Sequence, residues 1–126
     1  MNNSKIILIA HGSRDPRWRK PFEDLYFDLK NILGEETVSL AYMEFIPPSL
    51  SEVINTSINN GVENFKVLPL FMAGGGHVDK DIPKQIAEIK EQFKNVYIEL
   101  LPPIGENKEI VSLMKEIIIK TPLTNN

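Results

Sequence analysis

The chain has 126 residues, 42% of them apolar, a formal net charge of −3 and no cysteine. That length suits one α/β domain, read as residues 1–120 with a polar C-terminal tail at 121–126. The charge balance gives no bulk attraction for nucleic acid, and the missing thiols exclude a disulfide framework, a thiolate metal site and a cysteine nucleophile.

The first ten residues carry one lysine and a short apolar run that stops at His11-Gly12. They lack the length and cleavage site of a signal peptide. No apolar stretch approaches the ~20 residues of a membrane span. A soluble cytoplasmic domain with no membrane partner is expected.

Lys5–Ala10 is continuously apolar after its lysine, the signature of a strand buried on both faces. Asp15-Pro16 then offers an N-cap and a proline at the first helical position. Phe22, Leu25, Tyr26, Leu29, Ile32 and Leu33 follow at spacings of three and four, and Gly34 supplies a stop. Thr37–Met43 reads as a second strand. Ser49 and Glu52 form a capping box ahead of Leu50, Val53, Ile54, Ser57 and Ile58, which end at Asn60-Gly61.

Phe65–Phe71 reads as a third strand in which Pro69, lacking a donor, belongs at the end or at an irregularity. A loop Gly74-Gly75-Gly76-His77 comes next. Ile82, Ile86, Ile89 and Phe93 mark a third helix, Val96–Leu101 a fourth strand, and Ile110, Leu113, Met114, Ile117 and Ile118 a fourth helix. Strict alternation of strand and helix predicts an α/β fold, a parallel sheet covered by helices on both faces. Right-handed crossovers favour the flavodoxin-like order 2-1-3-4.

Ligands of such sheets bind beyond the carboxyl ends of the strands where the order reverses. Here that point lies between the first and third strands. The two histidines of the chain, His11 and His77, follow those strands, and Glu44 follows the second. Two imidazoles and a carboxylate suit a borderline divalent ion, and an imidazole of ordinary pKa, ~6.5, accepts a proton at neutral pH. A histidine at a strand end also caps turns, and that alternative stays open for either one alone.

The glycine run permits positive φ or cradles an anion at a helix N-terminus. It is neither a P-loop nor a dinucleotide fingerprint. Arg14, Arg17, Arg19 and Lys20 cluster after His11, and Lys80 and Lys84 follow His77. Cations there oppose the positive helix end, so an acidic ligand would compensate; a solvated helix start is the plainer account. His11-Gly12-Ser13-Arg14 is also reminiscent of histidine phosphatases, but those need Arg-His-Gly and Ala10 precedes the histidine.

Three segments carry a resemblance: His11–Trp18, Ala41–Phe45 and Leu68–Pro83. They resemble the short, single-domain sirohydrochlorin chelatases, class II tetrapyrrole chelatases that include the cobalt chelatases of cobalamin synthesis. The similarity runs from about Lys5 to Lys120. It implies a chelatase-like α/β/α sandwich and an enzyme that inserts cobalt, iron or nickel into sirohydrochlorin, for cobalamin or siroheme. The divalent ion is then substrate, and no permanently bound cofactor is expected. The resemblance implies His11, His77 and Glu44 as metal-site and catalytic residues. Arg14, Arg17, Lys80 and Lys84, with Gly75 and Gly76, are expected to hold the polycarboxylate substrate.

A lone domain of this size implies a homodimer enclosing the flat ring. Two rivals remain: a metal- or tetrapyrrole-binding protein without turnover, and a phosphate enzyme using the glycine loop.

Overall fold

Each apolar run forms a strand and each run spaced three and four apart forms a helix. The computed structural model describes residues 3–124, the side chains of His77 and Val78 excepted. In chain order it contains β1 (Ser4–Ala10), α1 (Pro16–Leu33), β2 (Val38–Tyr42), α2 (Leu50–Asn59), β3 (Asn64–Pro69), α3 (His77–Gln92), β4 (Tyr97–Leu100) and α4 (Lys108–Lys120). A single 3₁₀ turn, Ile104–Glu106, leads into α4.

All pairings are parallel and the order is β2-β1-β3-β4. β1 therefore lies inside the sheet, and Ile7, Leu8, Ile9 and Ala10 are all buried. Because side chains alternate across a strand, Ile7 and Ile9 enter one core with Val67, Phe65 and Ile98. α2 and α3 cover that face through Leu50, Val53, Ile54, Ile82, Ile86 and Ile89. Leu8 and Ala10 enter the opposite core with Val38, Leu40 and Tyr42, under Phe22, Tyr26 and Leu29 of α1.

The helix signals act as the sequence indicates. Asp15 caps α1 by accepting from the Arg17 amide at 3.0 Å, with Pro16 opening the helix. Gly34 ends it, its N–H donating to the Lys30 carbonyl at 2.9 Å. Ser49 and Glu52 form both bonds of the capping box, each at 3.1 Å. Pro69 is the last residue of β3.

One expectation needs correction. His77 is the first residue of α3 rather than part of the loop before it; Gly76, at φ 55°, turns the chain into the helix one residue early. None of the residues of α4 is buried.

Candidate active site

β1 delivers His11 beyond its carboxyl end, beside the line where the chain crosses from one side of the sheet to the other. Backbone pairing continues past the strands, since the Met43 amide donates to the Ala10 carbonyl at 2.9 Å and the Glu44 amide to the His11 carbonyl at 3.1 Å. The loops after β1 and β2 are thus stitched together. Gly12 makes this possible. Its φ is 92°, and a Cβ on it would collide with the Glu44 carbonyl oxygen.

The His11 ring is exposed and rests edge-on against Phe71, with centroids 4.3 Å apart and planes at 68°. Beside it lies a crevice of about 380 Å³, bounded by His11, Ser13, Trp18, Arg19, Phe22 and Leu70. Its volume sits at the low end of the ~300–1,000 Å³ of small-molecule sites.

A polar brace stands behind this crevice. Arg19 Nη1 donates to the Ser13 carbonyl at 2.8 Å, and its Nε meets Glu23 Oε2 at 3.2 Å. The Tyr42 hydroxyl donates to the same Glu23 oxygen at 2.9 Å. Burial, together with the hydrogen bond to Glu23 and that carboxylate's charge, pushes the Tyr42 phenol up to about 12. Arg19 thereby links α1, β2 and the loop that carries His11.

The structure distributes the anticipated cations unevenly. Arg17 is bound by Asp15, with Nη2 2.7 Å from Oδ2, and Lys20 by Asp24 at 2.8 Å. Intramolecular carboxylates therefore supply part of the compensation expected from a ligand. Arg14 instead lies over Phe45, 5.4 Å from the ring centroid, and no carboxylate pairs with it among the described residues. Lys80 and Lys84 are exposed on the first turns of α3. Gly75 and Gly76 are exposed as well, with open space where a Cβ would stand.

Glu44 is exposed on the loop after β2. His77 opens α3, and its side chain lies outside the described residues. Among the described residues, no group of three histidines and carboxylates stands close enough to hold a metal ion. Two contributors were not legible in the sequence. Arg19 stood out only as one of a basic cluster. Glu106, whose Oε2 accepts from the Gly74 amide at 2.9 Å, steadies the glycine run from 32 residues away.

The profile of the CbiX family matches residues 5–121. The chain belongs to the CbiX family. It is 34% identical over 113 residues to the sirohydrochlorin cobaltochelatase of Sulfurisphaera tokodaii, covering 88% of each chain. It is 30% identical over 111 residues to that of Sulfolobus acidocaldarius, covering 88% of this chain and 86% of the relative. Among solved structures it is similar to a CbiX protein from Marinobacter aquaeolei VT8, with a TM-score of 0.79, 36% identity and 94% of each chain covered.

The fold is shared more widely. The sirohydrochlorin chelatase SirB from Bacillus subtilis subspecies spizizenii, solved with cobalt, superposes with a TM-score of 0.79 at 20% identity. That match covers 94% of this CbiX-family chain but 50% of SirB. The sheet order 2-1-3-4 is the one the strand and helix alternation predicts, and the chelatase-like architecture is the one the resemblance implies.

Proposed function

We propose that this CbiX-family chain is a sirohydrochlorin metal chelatase, a lyase inserting a divalent ion into the metal-free macrocycle. Cobalt is the favoured ion, with iron and nickel as alternatives. The observation that carries the reading is the exposed imidazole of His11 at the carboxyl end of β1, beside an open crevice. Relatives named for cobalt insertion, similar over nearly the whole chain, add the substrate class.

Insertion exchanges two inner N–H protons of the ring for one metal ion. The ring must pucker so that a nitrogen lone pair points at the incoming ion. His11 presents the ion to one face of the ring, with His77 and Glu44 as further ligands, and the imidazoles accept the departing protons and pass them to water. Phe71 holds the His11 ring from behind, which limits the rotamers from which it reaches the metal.

The peripheral carboxylates of the substrate meet Arg14 on one side, and Lys80 and Lys84 on the other, through charge-assisted hydrogen bonds. Arg17 contributes less because Asp15 already occupies it. Gly75 and Gly76, bare of side chains, let the ring edge approach the backbone. The crevice is open, so a second copy of the chain closes over the ring, and the enzyme works as a homodimer. A cytoplasmic setting fits the cysteine-free composition.

Anaerobic insertion into sirohydrochlorin, followed by absorbance with cobalt, iron and nickel in turn, tests the reading. The wild type is expected to outrun the spontaneous reaction, and His11→Ala/His77→Ala to match it. No acceleration with any of the metals would leave a binding protein without turnover.

A further inference from the structure

Among the described residues, Phe45 is the one non-glycine at positive φ, 74°. The Ile46 amide donates to the Glu44 carbonyl across it at 2.9 Å. This is a γ-turn of the rare, strained hand, and a bulky side chain there is an outlier. The turn itself has a plain use. Met43 packs against the core under α2 and α3, and Ile46 against the core under α1. The chain therefore crosses the end of β2 between them. Glycine would make that crossing without steric cost, so the crossing accounts for the turn and not for the ring.

Packing does not account for the ring either. It is 58% exposed and belongs to neither core. Exposed apolar side chains are ordinary when scattered singly, but this one is held out on an unfavourable backbone. The Arg14 guanidinium lies over it, 5.4 Å from the ring centroid. A cation over an aromatic face in solvent is a weak contact. The mount of the ring is firm. The Glu44 amide donates to the His11 carbonyl at 3.1 Å, and Gly12, bare of a Cβ, lets the Glu44 carbonyl close in. The γ-turn uses that same carbonyl, so Phe45 stands on the backbone link that also positions His11.

We propose that Phe45 is a stacking platform for the tetrapyrrole, and that the strained turn persists because it holds the ring out for this contact. The inference rests on the chelatase reading above and adds a binding residue to it. A flat macrocycle centred over His11 spreads across the loops after β1 and β2. Its face suits an aromatic partner in offset stacking, and its carboxylate rim suits a cation. Phe45 and Arg14 supply both. In the free chain Arg14 rests on the ring. With substrate bound it leaves for a rim carboxylate, exchanging a weak contact for a charge-assisted hydrogen bond, and the macrocycle takes the vacated face.

Binding of metal-free sirohydrochlorin to the full chain tests this, read by quenching of the single tryptophan, Trp18, which bounds the His11 crevice. Phe45→Leu keeps the backbone restriction and loses the aromatic face, Phe45→Gly loses both, and Phe45→Tyr keeps both. Kd is expected to rise roughly tenfold for the leucine and glycine variants and to stay within about twofold for tyrosine. The leucine effect should persist at high salt, unlike that of Arg14→Ala, because stacking is not screened. The urea midpoint should hold for Phe45→Leu, and hold or rise for Phe45→Gly, since glycine relieves the turn. Wild-type affinity in Phe45→Leu would overturn the platform, whatever Phe45→Gly does. A midpoint that falls in Phe45→Leu together with its affinity would assign the ring to the fold and overturn it too. A wild type that binds the macrocycle but inserts no metal would remove the chelatase reading and leave the platform to be judged by these affinities. A wild type that binds no macrocycle would overturn both.

Discussion

Arg19 reaches across six residues of chain to hold the Ser13 carbonyl at 2.8 Å, and so fixes the turn that follows His11. Replacing it with methionine keeps the aliphatic stem and removes the donors. Arg19→Met is expected to lower kcat/KM for metal insertion by roughly tenfold through misplacement of His11. It should cost about 1–2 kcal/mol in urea unfolding. Arg19→Lys should not restore activity, because an ammonium does not reproduce the guanidinium fork.

Gly12 and Gly61 provide a matched pair. Both have φ near the left-handed range, 92° and 90°, but only Gly12 has a carbonyl where a Cβ would go. Gly61→Ala should cost about 1 kcal/mol, the conformational penalty alone. Gly12→Ala should cost about 1–3 kcal/mol and also depress insertion, since the loops after β1 and β2 are forced apart. Denaturation midpoints of the two variants read the difference directly.

The two arginines flanking Asp15 should behave differently toward substrate. Arg14→Ala is expected to raise KM about fivefold with little change in kcat. Arg17→Ala should have a smaller effect, since Asp15 already engages that guanidinium. Added salt should shrink both effects, because the groups are solvent-facing. Steady-state kinetics at two ionic strengths checks this.

Tyr42 predicts an alkaline limb of stability. Its folded value, about 12, lies above the ordinary phenol value of 10.0. The contribution is therefore complete below about pH 10 and is lost as pH rises from there through about 12. Ultraviolet titration should show one phenol ionising last. Tyr42→Phe should remove both that late titration and this part of the alkaline loss of stability.

Much of the architecture was legible because local and long-range signals agreed. The Asp15-Pro16 start, the Ser49–Glu52 box, the Gly34 stop and the strand-ending Pro69 are backbone chemistry written in single residues, and each acts as expected. The position of His11 followed from topology alone. What escaped notice depends on contacts distant in sequence. Nothing local marks Glu106 as the acceptor for Gly74, or separates Arg19, which braces a carbonyl, from Arg17, which binds its own helix cap. The exposure of α4 was equally hidden, because an amphipathic stripe states that a helix has an apolar side without stating how far it is covered.

Pro69 has an effect beyond ending a strand. Successive amides of β3 face its two neighbours in turn: Leu70 donates to Ile9 on one side, and the Val67 carbonyl accepts from Leu101 on the other. The next amide aimed at β4 would be that of residue 69, and proline has none. The β3–β4 ladder therefore loses its final rung, and the departing chain is free to veer across the end of β3 and dock at Phe71. A single absent hydrogen thus acts as a railway point, switching the chain after β4 across the end of β3 before α4 begins.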